Sequence, residues 1–287
     1  MNNYPLVSII MPTYNSKKFV KKTIESVFNQ TYKHFEVIIV DDCSTDGTVE
    51  YVKNLMSKIQ DRSIKLKIKI IKTKKNSGTV AHPRNIGIKA CSGDLICFLD
   101  SDDNWEKNKL AAQVKNYQNN KTVHFTAAKY FNFKGKKSNF ILNYLRKFFQ
   151  FFITNKVNNF GYFWFYIYNP VIVSSVLLHK NILKNISFDE NINSREDYDM
   201  WIRLRKKNFK FYYNSSFEVN ICRRKKSMSS DLPKELVTTL NSLSNVLFKI
   251  NSFSKLNYFL FGIIIKFLIT FIKLNKKIIL LFSKKLS

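Results

Sequence analysis

The chain has 287 residues, 45% of them hydrophobic and 24% charged, which suits one large domain or a domain with an appendage. Glycine is sparse at seven residues, and the composition excludes a fibrous repeat or a disordered chain. A net charge of +28 points to an anionic partner: a phosphate-rich ligand, nucleic acid or an acidic membrane surface.

The opening "MNNYPLVSII" lacks a basic leader, a long apolar segment and a cleavage site. It therefore reads as no signal peptide, and the active part is expected in the cytosol. "LVSIIM" (6–11) is a short β-branched run and predicts a strand. Asn15 and Ser16 offer an N-cap to a helix with Val20, Ile24, Val27 and Phe28 on one face. "FEVIIVD" (35–41) predicts a buried strand, followed by a helix carrying Val49, Val52, Leu55, Met56 and Ile59. "IKLKIKII" (64–71) alternates like a strand with one solvated face. Pro83 suits the first turn of a short helix, and "DLICFLD" (94–100) predicts the fourth strand.

Strands separated by helices imply a right-handed, mostly parallel α/β sheet, whose ligands bind outside the carboxyl ends of the strands. Asp41 and Asp42 end the second strand and Asp100 ends the fourth, so both acidic groups meet one edge. "FLDSDDNW" (98–105) adds Asp102 and Asp103 to that edge. Carboxylates this close repel unless something positive lies between them.

The section 140–168 is saturated with aromatics and broken by lysines. It fits either a core helix with a loop or a hydrophobic, basic surface for a lipid-linked acceptor, and is too interrupted for a span of ~20 apolar residues. "VIVSSVLL" (171–178) predicts a further strand, and "REDYDMWIRLRKKN" (195–208) a helix with acids in its first turn and bases in its last, matching the helix dipole. Residues 131–187 hold eight Lys or Arg and no acid; from 256 to the end there are six Lys and again no acid. In that apolar tail Lys266 and Lys273 share one helical face, which suits an amphipathic helix lying on an anionic membrane surface; a tilted span with snorkelling lysines and a helix packed on the protein's own core are the alternatives. The four cysteines show no CxxC pair, as expected of reduced thiols.

Four stretches carry a resemblance: "VSIIMPTYNSKKFVKKTIESVFNQTYKHFEVIIVDDCSTDGT" (7–48), "NSGTVAHPRNIG" (76–87), "GDLICFLDSDD" (93–103) and "FDENINSREDYDMWIRL" (188–204). In this order and spacing the chain resembles the family-2 inverting glycosyltransferases of GT-A fold over residues 5 to about 210. The resemblance implies a Rossmann-like α/β sheet flanked by helices. It divides the chain into a nucleotide-sugar-binding half (1–130), an acceptor-side half with the Glu-Asp motif (131–220) and a basic, apolar helical tail (221–287).

It also implies roles. A divalent cation, Mn²⁺ or Mg²⁺, neutralises the leaving diphosphate, with Asp102 as its protein ligand, Asp100 near the ribose and phosphates, and Asp103 left between ligand and loop support. Pro12, Thr13 and Tyr14 fall where the family packs the base, Asp42 and Asn76 where it is hydrogen-bonded, and Arg84 near the diphosphate. The "AHPRN" context departs from many relatives, since Pro83 replaces a small residue before Arg84. Asp197 is the expected general base, supported by Glu196.

The implied partners are a nucleotide-sugar donor, UDP-linked by expectation, a glycolipid or polysaccharide acceptor and an anionic membrane surface, with no specific nucleic acid. The implied location is the cytosolic face of the plasma membrane, where the enzyme would build cell-surface glycans such as lipopolysaccharide. A nucleotidyltransferase would also use an α/β sheet and a carboxylate-held metal, but brings a Gly-rich basic loop where this chain has "PTYNSKKF". A non-catalytic basic binding protein accounts for the charge and leaves the carboxylates at the strand ends unexplained.

Overall fold

The parallel half of the sheet is ordered by burial. In a computed structural model, which describes residues 4–58, 67–117, 122–132, 169 and 171–223, strand β1 (Val7–Thr13) has no exposed residue. It is flanked on one side by β2 (Phe35–Asp41) and on the other by β4 (Leu95–Phe98), both parallel to it. A strand with neighbours on both edges and cover on both faces is apolar over most of its length, as Val7, Ile9, Ile10 and Met11 are, while buried Ser8 donates to Glu36 Oε1 (2.5 Å). β3 (Ile68–Lys72) extends the sheet beyond β2, again in parallel, with an only partly buried pattern suited to an edge.

Beyond β4 the sheet turns mixed. The strand order is β3-β2-β1-β4-β7-β6-β8-β5, where β5 is Asn104–Trp105, β6 Thr122–Asn132, β7 Leu177–His179 and β8 Lys210–Arg223. β7 runs antiparallel to β4 and β6, β6 and β8 are parallel with a bulge near Thr126–Ala128, and β5 is antiparallel to β8. This is a GT-A-like α/β sheet, mostly parallel in its pairings and flanked by helices.

Five helices cover it among the described residues: α1 (Val20–Phe28), α2 (Thr48–Ser57), α3 (Ala81–Ala90), α4 (Lys109–Asn116) and α5 (Glu196–Lys206). Val20, Ile24 and Val27 of α1 join Val7, Ile9 and Met11 in one core layer. On the other face, a Cβ at Gly87 of α3 would sit 2.4 Å from the Ile10 side chain. Only glycine lets α3 lie this close to β1. That close approach holds Arg84, one turn earlier, near the carboxyl edge.

The chain divides into two compact units, Met1–Asn155 with Val171–Ser230, and Lys156–Pro170 with Asp231–Ser287. The sheet lies in the first. The aromatic-basic section 140–168 and the lysine-rich tail 256–287 fall outside the described residues. No helix among the described residues is long and apolar enough to cross a membrane.

Two local expectations are corrected, and a third falls partly outside the described residues. Ser16 does not cap α1 with its side chain. Its hydroxyl turns to Ser101 Oγ at 2.6 Å, its carbonyl accepts from the amides of Phe19 and Val20, and α1 begins only at Val20. "VIVSSVLL" is not one strand: Val173–Ser175 form a 3-10 turn, and only Leu177–His179 pair with β4. The alternating run 64–71 yields a strand at Ile68–Lys72, its earlier residues 64–66 lying outside the described set.

Candidate active site

Register brings the strand ends level: Thr13 pairs with Asp41 and Asp41 with Lys72. Asp41 is fully buried and faces inward, accepting from Thr13 Oγ1 (3.0 Å) and from the amide and hydroxyl of Ser44 (2.9 and 2.5 Å). The residues just past each strand end bend sharply. Asn15 (φ 46°) and Cys43 (φ 60°) adopt left-handed backbone conformations that non-glycine residues seldom take outside functional loops. Pro12 and Thr13 are buried within β1, and of the expected base-packing trio only Tyr14 faces solvent, at 48% exposure.

Asp42 is buried and held from two sides. Thr73 donates to Oδ1 (3.1 Å), while the amide and hydroxyl of Ser77 donate to Oδ2 (3.0 and 2.8 Å). Three donors fix the carboxylate in one rotamer with an acceptor position to spare on Oδ1. Asn76 is a loop residue here: Nδ2 donates to the Asp42 carbonyl (3.0 Å), and Oδ1 accepts from the Gly78 amide (2.9 Å).

The aspartate loop divides its carboxylates. Asp103 points inward, accepting from Ser174 Oγ (2.6 Å) and from the Cys222 amide (3.1 Å). Burial, then the charges of Asp102 and Asp100, push its carboxyl well above the usual range and favour the neutral acid. Both of its oxygens thus serve partners outside the loop. Ser174 also accepts the Asp100 amide (3.2 Å), and its carbonyl accepts Trp105 Nε1 (2.7 Å). Ser101 ties the loop to α1, its carbonyl accepting from Thr23 Oγ1 (2.9 Å). Asp100 and Asp102 stay partly exposed on the outer side.

The acceptor-side motif meets this loop through Arg84. Nη2 donates to Asp100 Oδ1 (2.7 Å) and Nη1 to Glu196 Oε1 (2.5 Å). Burial disfavours the guanidinium charge, yet Asp100 and Glu196 more than restore it and raise its pKa. Asp197 follows Glu196 at the start of α5, preceded by Arg195 in a left-handed conformation (φ 68°). Burial, then the Glu196 charge, pushes the Asp197 carboxyl up to about 7, against the opposing pull of Arg84. A carboxylate poised near neutrality suits general-base work.

Among the described residues, no three His, Cys, Asp or Glu side chains gather into a ready-made metal cage. A hard divalent ion bound through one or two carboxylates, its remaining positions filled by substrate phosphates and water, needs no such cage. A partly exposed Asp102 fits that arrangement, whereas Asp103 is turned inward onto Ser174 and Cys222.

The chain is similar to known proteins. The sequence model of Glycosyl transferase family 2 matches residues 8–173, more than half of the chain. The chain belongs to glycosyl transferase family 2. A family-2 relative from Escherichia coli, the UDP-Glc:alpha-D-GlcNAc-diphosphoundecaprenol beta-1,3-glucosyltransferase WfaP, is 32% identical over 244 residues, 84% of this chain and 86% of WfaP. TuaG of Bacillus subtilis (strain 168), whose name assigns it to teichuronic acid biosynthesis, is 42% identical over 116 residues; that match takes in 40% of this chain and 43% of TuaG, so the chain spans under half of it. Among solved structures, residues 1–349 of Staphylococcus aureus TarS in complex with UDP-GlcNAc superpose with a TM-score of 0.59 at 25% identity, covering 83% of this chain and 64% of that one.

The stretches that carry the family resemblance contain every aspartate above, yet several residues that set the geometry escape motif reading. Ser174, Thr73 and Ser77 donate hydrogen bonds to the carboxylates of Asp103 and Asp42, and Ser101 ties the aspartate loop to α1. The only sequence signal was a pair of serines inside the apolar run 171–178, which marks a break in a strand.

Proposed function

We propose that this family-2 enzyme transfers a glycosyl unit with inversion from a UDP-sugar to a hydroxyl of a lipid-linked or polysaccharide acceptor, in the assembly of a cell-surface polysaccharide. The observation that carries this reading is the shared guanidinium: Arg84 joins Asp100 of the donor loop to Glu196, next to Asp197. Donor-side and acceptor-side motifs, Asp100 and Glu196, 96 residues apart in sequence, thus adjoin. The names of WfaP and TuaG, and the UDP-GlcNAc complex of TarS, support the UDP donor and the class of acceptor.

In this reading Tyr14 offers a ring for the base to stack on, and the spare acceptor position of Asp42 takes the uracil N3–H. Asp197 accepts the proton of the acceptor hydroxyl as its oxygen attacks the anomeric carbon. The C–O bond on the opposite face breaks, and its electron pair leaves on UDP. Asp102 would hold a Mn²⁺ or Mg²⁺ ion, which would supply charge neutralisation to that leaving group. Glu196, neutralised by Arg84, keeps the helix start in place. The work is expected at the cytosolic membrane face, with the lysine-rich tail 256–287 on anionic headgroups.

A panel of UDP-sugars, offered with membrane extracts as acceptor, tests this. One donor should release UDP with a matching glycosyl mass gained by an acceptor. Release of pyrophosphate, or no turnover across the panel, contradicts it.

A further inference from the structure

Arg84 sits in α3 with 2% of its side chain exposed, both terminal amino groups on carboxylates and its guanidinium carbon 5.3 Å from the centre of the Phe188 ring. The ring is fixed in turn. Asn85, the next residue of α3, holds the Phe188 backbone at both ends: Nδ2 donates to its carbonyl (2.9 Å) and Oδ1 accepts its amide (3.0 Å). Phe98 at the end of β4 closes on the ring edge-on at 5.2 Å. The guanidinium therefore rests in a built cradle, one face on an aromatic ring and its fork divided between two motifs. A side chain this enclosed has little surface left to offer a diphosphate arriving from solvent.

We propose that Arg84 is a positioning residue that locks Asp100 and Glu196 together, and is not a ligand of the leaving diphosphate. This rests on the functional reading above and changes the role that the resemblance gave Arg84. The physical reason is charge: Asp100, Glu196 and Asp197 crowd one edge, and a single delocalised cation lets two of them share hydrogen bonds where they would otherwise repel. Lysine at this position keeps one charge but cannot present a planar fork to two carboxylates.

The test uses the full chain as Arg84→Lys and Arg84→Gln, with Mn²⁺ present. UDP and uridine affinities are measured by calorimetry and transfer by steady-state kinetics, with circular dichroism confirming the fold. Expected is a kcat at least about 100-fold lower, the cost of a small misplacement of catalytic groups, with donor KM and the ratio of UDP to uridine affinity within about threefold of the parent. Arg84→Lys keeps the test alive if Arg84→Gln fails to fold. A UDP-to-uridine ratio that falls about tenfold or more overturns the proposal, since the guanidinium then grips the diphosphate. A nearly unchanged kcat overturns it as well. A parent protein that binds no UDP contradicts the functional reading itself, and the role of Arg84 with it; loss confined to the variants contradicts the role alone.

Discussion

The Ser174 hydroxyl donates to Asp103 Oδ2 at 2.6 Å and accepts the Asp100 amide at 3.2 Å, so one side chain from outside the aspartate loop sets the spacing within it. Ser174→Ala removes the donor from a buried acid. It should cost about 1–3 kcal/mol, lower Tm measurably and reduce turnover by loosening Asp100. Thermal unfolding and kinetics on the same preparation check both; unchanged values for each would mean that the loop holds its shape without Ser174.

The Asp197 carboxyl, raised to about 7, must be ionised to act as a base. Below that value kcat/KM should fall about tenfold per pH unit, and above it reach a plateau. The sign for stability is opposite. A folded-state pKa above the unfolded one means that the folded protein holds the proton longer, so this group's stabilisation is present at acid pH and is lost as pH rises from about 4 to about 7. A pH-rate profile with parallel Tm measurements reads both trends, and Asp197→Asn should flatten the stability component.

Removal of divalent cations should suppress transfer at least about 100-fold, with Mn²⁺ or Mg²⁺ restoring it. Asp102→Asn should raise the metal concentration needed for half-maximal rate, whereas Asp103→Asn should act on stability more than on metal response, because its oxygens serve Ser174 and Cys222. A metal titration of the two variants separates them.

Ser77→Ala deletes the 2.8 Å bond to Asp42 Oδ2 and leaves the Ser77 amide in place. Donor KM should rise about three- to tenfold with kcat nearly constant, the pattern of lost uniform binding. Uridine affinity should fall in step with UDP affinity, since the change acts at the base.

Much of the sheet was legible because its signal is local. The apolar runs of β1, β2 and β4 and the helical spacing of Val20, Ile24 and Val27 report burial directly. The acids at the strand ends were legible too, since parallel topology gathers carboxyl ends at one edge. What sequence could not convey was direction. Asp102 and Asp103 are neighbours, yet Asp103 turns inward to partners 71 and 119 residues away. Asn76 donates to the Asp42 carbonyl 34 residues back, and Arg84 reaches a glutamate 112 residues on. The serine break in 171–178 and the delayed start of α1 share this cause, because hydroxyls that serve distant groups override local propensity.

The central claim is that Asp197 takes the proton from the acceptor while the donor is held elsewhere. Transfer by Asp197→Asn, measured beside calorimetric UDP binding with Mn²⁺ to the same protein, tests it most directly. The account predicts transfer reduced by at least about 1,000-fold, within the contribution expected of general-base catalysis, and UDP affinity within about threefold of the parent. Transfer close to the parental rate would contradict it.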